Sequence, residues 1–190
     1  MSVVIEQTPN PNALKFLVSR EVVGSKTPKF YKKDSVDSLT EDVPLVNSLF
    51  QFNGVIDVFF GSNFITVGKN DTVDWGEIRS EIMEVIRDYD NSNHPYVIDD
   101  FPKPACEKLN SDVTQSKIEK NIINLIDTRV RPAVAMDGGD IIFHSFENGT
   151  VYLEMYGACS GCPSSTATLK MGIENMLRHY IPEVHTVEAV

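Results

Sequence analysis

Short runs in which apolar and polar residues alternate predict β-strands in the first part of the chain. The runs lie at residues 3–5, 14–18, 55–60 and 64–67. The last two are separated by Gly61-Ser62-Asn63, which is typical of a hairpin. In the second run Lys15 falls between Leu14 and Phe16, so we expect a strand with one face in the core and the other in water. Residues 20–43 are polar and irregular apart from two aromatic side chains.

Apolar residues recur at helical spacing in four other stretches. A short helix is expected from Pro44 and a longer one after Asp74, which forms a capping-box pattern with Glu77. Ser116 begins a similar pattern, and we expect its helix to stop at Pro132 because proline lacks the N–H that a helix interior needs. The fourth helix follows Cys162; its apolar stripe consists of Leu169, Ile173, Met176, Leu177 and Tyr180.

Turn residues organise the remaining part of the chain. Asp137-Gly138-Gly139-Asp140 leads into a strand, and Asn148-Gly149 predicts a two-residue hairpin to the next strand. A last short strand is expected at residues 184–190. The resulting order is α-β-β-α-β. We therefore predict an α+β protein with two small α+β domains, 1–90 and 115–190, joined by a proline-containing linker at 91–114.

Composition narrows the classes of function. The 190 residues carry a net charge of -10, which argues against binding to nucleic acid or to anionic membranes. No apolar run is long enough to span a bilayer, and no targeting segment is recognisable. Three cysteines form no disulfide framework, which favours a reducing compartment. We expect the cytoplasm, although a processed organellar protein has the same composition.

The chemistry of the chain is concentrated in Cys159 and Cys162, a C-x-x-C pair on a predicted strand-to-helix loop. Pro163 suits the first helical position, which would place Cys162 near the N-cap. Backbone N–H groups and the helix dipole would then favour the thiolate form of both sulfurs. The small residues around the pair predict sulfurs that are open to a partner protein.

Three chemistries use such a pair. A thiol–disulfide oxidoreductase needs one acidified thiol and one resolving thiol. A structural zinc site and an iron–sulfur cluster each need four ligands, of which this loop supplies two. Four thiolates are completed when a two-fold axis brings two chains together. His144, His179 and His185 are expected to be ordinary histidines, and Cys106 a surface thiol. The residues alone do not choose between these chemistries.

Motifs in both halves of the chain resemble the Nfu-type iron–sulfur scaffold family. The second half is similar to its NifU-like C-terminal domain and the first half to its N-terminal domain. The similar segments are residues 8–12, 14–16, 58–61, 64–67, 127–132, 137–140, 157–165 and 181–184.

The resemblance implies a homodimer that holds a [4Fe-4S] cluster between two chains through Cys159 and Cys162 of each. It also implies transfer of that cluster to apo iron–sulfur proteins, supply by upstream cluster-assembly proteins, and no catalytic turnover. The location implied is the cytoplasm of a bacterium, or the mitochondrial matrix for a processed eukaryotic form.

Overall fold

The computed structural model describes residues 3–23, 28–35, 43–96, 117–159 and 163–190. It shows two α+β domains, as the sequence predicts. Cys106, Ser116, Cys162 and the greater part of the expected linker lie outside the described residues. Among the described residues, no helix has the length and apolar character needed to cross a membrane.

The first domain is a five-stranded antiparallel sheet with two helices. Its strand order is β1-β2-β5-β4-β3. The strands are β1 Val4–Gln7, β2 Ala13–Leu17, β3 Lys29–Lys32, β4 Val55–Phe60 and β5 Phe64–Lys69. The helices are α1 Pro44–Phe50 and α2 Trp75–Asn91. The predicted cap of α2 is confirmed, since the Asp74 side chain accepts a hydrogen bond from the Gly76 N–H at 2.6 Å.

Both faces of this sheet are covered, which corrects the prediction of a half-exposed strand. One face carries Phe16, Val58 and Phe60 and packs against α1 and α2 in a single apolar cluster. On the opposite face, Lys15 is 6% exposed and Thr66 is fully buried. Lys15 and Thr66 do not meet water, because the second domain lies against this part of the face.

Strand β3 was not predicted, since its pattern is short and flanked by polar residues. The ring of Phe30 in β3 contacts that of Phe59 on the neighbouring strand, with 6.4 Å between ring centroids. The same ring meets Tyr156 of the second domain edge-on, at 5.5 Å. Interdomain contact therefore helps to hold a strand that local sequence describes poorly.

The second domain has the predicted order α-β-β-α-β. Its first helical region comprises α3 Lys117–Leu125, a π-helical segment Ile126–Val130 and α4 Arg131–Met136. The strands and last helix are β6 Gly139–Glu147, β7 Thr150–Gly157, α5 Pro163–Tyr180 and β8 Thr186–Ala189. The sheet order is β6-β7-β8, with β8 parallel to β7. The predicted hairpin is confirmed, with left-handed φ values of 50° at Asn148 and 81° at Gly149.

The prediction that Pro132 ends the first helix is wrong. The π-helical segment immediately before it changes the hydrogen-bond spacing, and Pro132 stands in the first turn of α4. A first-turn residue has no intrahelical partner for its N–H, so proline is tolerated there. The chain consequently stays helical up to Met136, and the turn that follows, at Asp137 and Gly138, lies close to the cysteine loop.

A buried carboxylate fastens the end of α2 to the rest of the first domain. Asp90 is 1% exposed and accepts hydrogen bonds from the Ser19 N–H at 3.2 Å, Arg20 Nε at 3.1 Å and the Tyr96 hydroxyl at 2.8 Å. Burial alone would raise the pKa of Asp90, but the hydrogen bonds and the charge of Arg20 together hold this pKa below its usual value. The ionised form is therefore the one that the fold stabilises.

We expect Asp90→Asn to lower the free energy of unfolding by about 2 kcal/mol at pH 7, because an amide replaces a charged acceptor. Since the pKa of Asp90 is lower in the folded than in the unfolded protein, the wild-type advantage is complete above the unfolded pKa of about 3.9 and disappears as pH falls through the folded pKa. Urea unfolding followed by Trp75, the single tryptophan, measures it. A difference that grows towards low pH would contradict this assignment.

Candidate metal-ligand site

Cys159 is placed by the end of β7, as the sequence predicts for a strand-to-helix loop. Gly157 closes the strand with a φ of 65°, a conformation that favours glycine, and Ala158 and Cys159 follow. The Ala158 N–H donates to the Gly138 carbonyl at 3.1 Å, which joins this loop to the turn before β6. Residues 160–162 lie outside the described residues, so the position expected for Cys162 at the helix N-cap stays a prediction.

The sulfur of Cys159 is packed against the first residue of β6. A Cβ atom built on Gly139 would lie 2.6 Å from this sulfur and 2.7 Å from the Tyr156 carbonyl oxygen. Real Cβ atoms do not come so close to either, so glycine at position 139 makes the room that the sulfur occupies. Cys159 is 7% exposed and belongs to the apolar core of the second domain.

The resting state of Cys159 differs from the expected thiolate. Burial and, to a smaller extent, the negative charges of Asp137 and Asp140 raise the pKa of the Cys159 thiol to about 12. The prediction of an acidified, open sulfur is therefore wrong for Cys159 in this structure. Helix-terminus electrostatics favour a thiolate only when the sulfur is not removed from water at the same time.

An ion-pair network, which was not predicted as part of the site, fixes the strand residue next to Gly139. Arg131 donates to both carboxylate oxygens of Asp140, from Nε at 2.8 Å and from its terminal nitrogen at 2.7 Å. It also pairs with Asp127 at 3.2 Å. The Asp127–Arg131 spacing of four residues is a helical pairing signal, but the partnership with Asp140 depends on the tertiary fold. Both carboxylates raise the pKa of Arg131.

The two domains also bound a cleft of about 320 Å³ beside the cysteine loop. Arg131 and Asp140 line one side of this cleft, and Phe59 and Phe64 of the first domain line the other. The charge of Arg131 is already matched by its two carboxylate partners. The cleft therefore has an apolar wall and a polar wall on which one arginine and two aspartates leave a net negative charge.

No group of three or more histidine, cysteine, aspartate or glutamate side chains within the described ranges is arranged to hold a metal ion. His144 pairs with Glu154 at 3.1 Å, His179 stacks edge-on against Tyr180 at 4.9 Å, and the ring of His185 lies over Gly149. Within the described ranges, Cys159 is thus the soft ligand that one chain offers.

The contact between Gly139 and Cys159 predicts opposite effects for two glycine substitutions. Gly139→Ala should destabilise the second domain by about 1–3 kcal/mol, because the new methyl group meets a sulfur and a backbone carbonyl. Gly172→Ala is the matched control: it lies on α5 with no atom within 4 Å of the new Cβ, and it should stabilise by about 0.5–1 kcal/mol. Urea unfolding followed by far-UV circular dichroism measures both. Equal effects of the two substitutions would show that the sulfur does not occupy this space.

Comparison with known proteins gives matches in both domains. Residues 3–93 match the family described as Scaffold protein Nfu/NifU N terminal, and residues 122–188 match the family described as NifU-like domain. A Drosophila persimilis protein named NFU1 iron-sulfur cluster scaffold homolog, mitochondrial, is 43% identical over 190 residues, which is all of this chain and 65% of the relative. Its counterpart from Drosophila willistoni is 44% identical over the same length and 64% of the relative.

This chain thus spans somewhat less than two thirds of these relatives. A solution structure of a NifU-like protein from Saccharomyces cerevisiae shares 25% identity, covers 52% of this chain and 86% of its own, and has a TM-score of 0.47. The family matches in both halves agree with the similarity along the whole of this chain, and the chain belongs to the Nfu/NifU family.

Proposed function

We propose that this protein is an iron–sulfur cluster scaffold that holds a [4Fe-4S] cluster between two subunits and transfers it to apo-proteins. The cluster is cargo, with Cys159 and Cys162 of each chain as its ligands. The observation that carries the proposal is the combination of both Nfu/NifU domains with a C-x-x-C pair on the β7–α5 loop. The family is one of scaffold proteins rather than enzymes, which agrees with the prediction of no catalytic turnover.

Ligand number supports the sharing of the cluster. A [4Fe-4S] cluster takes four thiolates, and the loop of one chain contributes two. The described part of the chain provides no further group of metal ligands near Cys159. A second copy of the chain supplies the missing pair through a two-fold axis.

The state of Cys159 supports a carrier over a thiol–disulfide oxidoreductase. An oxidoreductase needs an accessible thiol whose pKa is lowered, whereas Cys159 is buried and its pKa is raised to about 12. A metal ligand does not need this in advance, because binding of iron displaces the thiol proton. Ligand exchange with an incoming thiolate of a recipient then releases the cluster without unfolding of either domain.

Partners and location follow as further parts of the proposal. Recipients are apo iron–sulfur proteins and donors are upstream cluster-assembly proteins; nucleic acid and membranes are not among the partners. The relatives named above are mitochondrial by name. The mitochondrial matrix is the location for a processed eukaryotic form and the cytoplasm for a bacterial one.

Anaerobic reconstitution with iron and sulfide tests the function. We expect a brown dimer with broad charge-transfer absorbance and about four iron and four sulfide ions per dimer. Cys159→Ala and Cys162→Ala should each lose the colour and the cluster-dependent dimer, since each removes two of four ligands. Cys106→Ala is the matched control and should keep both.

Absorbance, metal and sulfide analysis, and sedimentation velocity measure these outcomes. A monomer that retains iron and sulfide would overturn the shared-cluster proposal. A colourless zinc-bound dimer, or insulin reduction by the apo-protein, would replace it with one of the two alternative chemistries.

A further inference from the structure

Three polar side chains of the first domain point at the second domain and are buried there. Asn10 lies in the turn between β1 and β2, Lys15 in β2 and Thr66 in β5, and none is more than 7% exposed. Each donates a hydrogen bond to a backbone carbonyl of the second domain. Asn10 reaches the Ala158 carbonyl at 3.2 Å, Lys15 the Met136 carbonyl at 3.1 Å and Thr66 the Gly138 carbonyl at 2.7 Å.

These three carbonyls belong to the two turns that flank the Cys159 sulfur. Met136 and Gly138 precede β6, and Ala158 is the residue immediately before Cys159. The Gly138 carbonyl accepts from the Ala158 N–H as well as from Thr66, so Thr66 binds at the point where the two turns meet. The first domain is thus hydrogen-bonded to the backbone on both sides of the Cys159 sulfur.

Aromatic side chains of the first domain also contact the end of β7. The ring of Phe30 meets Tyr156 at 5.5 Å. A Cβ atom on Gly157 would lie 3.0 Å from the Phe59 ring, so the loop backbone lies directly on that ring. Polar and aromatic groups of one domain therefore surround the start of the loop that the proposed cluster requires.

We propose that docking of the first domain caps Cys159 and restrains the exchange of the cluster. This inference rests on the proposed function in naming the cluster as the species held back. A shared cluster requires the Cys159 sulfurs of two chains to be reached from outside each chain. This sulfur is buried in the second domain, between the two turns whose carbonyls the first domain binds. Release of the contacts made by Lys15 and Thr66 opens the loop to a second copy of the chain or to a recipient thiolate.

The reactivity of Cys159 tests the cap without any cluster. In a Cys106→Ala/Cys162→Ala background Cys159 is the single cysteine, and its reaction with 5,5′-dithiobis(2-nitrobenzoate) is followed by absorbance. Thr66→Val and Lys15→Met each remove an interdomain hydrogen bond and should accelerate the reaction about fivefold, and together on the order of twentyfold. Asn10 is left intact because its side-chain oxygen also accepts from the Asn12 N–H at 2.9 Å. Lys15→Met also removes the ion pair of Lys15 with Glu6 at 3.1 Å, and Glu6→Gln, which removes that pair alone, should not alter the rate.

Matched controls carry the same substitutions away from the interface. Thr72→Val changes an exposed threonine that bonds to Asn70, and Lys120→Met changes an exposed lysine of α3. Neither should alter the rate. Far-UV circular dichroism and the urea midpoint of each variant separate opening of the interface from unfolding, and the radius of gyration from small-angle scattering should rise in the double variant.

Cluster transfer supplies a separate measurement in the chain with all three cysteines. Thr66→Val should load and release the cluster faster than Thr72→Val. If the interface variants react faster with the thiol reagent but the wild-type protein binds no cluster, the cap is supported and the proposed function is overturned. Equal thiol reactivity in the interface and control variants would overturn the cap. Loss of the cluster in Thr66→Val without a gain in thiol reactivity would also overturn it, because the contacts would then only position the loop.

Discussion

The contact between the Cys159 sulfur and the first residue of β6 is the constraint on which the site depends. Glycine at position 139 leaves the volume of a side chain vacant, and the sulfur fills it. Strand β6 thereby contacts the Cys159 loop through Gly139. It also contacts α4, because the neighbouring Asp140 is bound by Arg131 in the first turn of that helix. The resting sulfur is thereby part of the apolar core, and that burial is the main cause of its raised pKa.

Local sequence signals predicted the elements that local chemistry controls. The Asn148-Gly149 turn, the Asp74 cap and the position of Cys159 directly after a strand all follow from residue types at fixed spacing. Alternation also identified β2 correctly. It misjudged the environment of Lys15, since the group that accepts its hydrogen bond, the Met136 carbonyl, is more than a hundred residues away in the sequence.

Two other differences show where simple rules compete. Proline rules predicted a helix end at Pro132, but a preceding π-helical segment supplies a new first turn in which the missing N–H costs nothing. The helix-dipole rule predicted a thiolate at Cys159, but desolvation acts in the opposite direction and the pKa of this thiol is raised to about 12. In both cases the decisive factor is geometry that only the folded chain defines.

The π-helical segment has a consequence for the length of the chain. It accommodates one residue more per turn than an α-helix, so Asp127 and Arg131 reach their places through an extra backbone unit. Deletion of a single residue there would restore regular winding but rotate Arg131 by about 100° away from Asp140. A one-residue shortening of this helix, harmless in many solvent-facing loops, would here disconnect the anchor of the strand on which the cysteine rests.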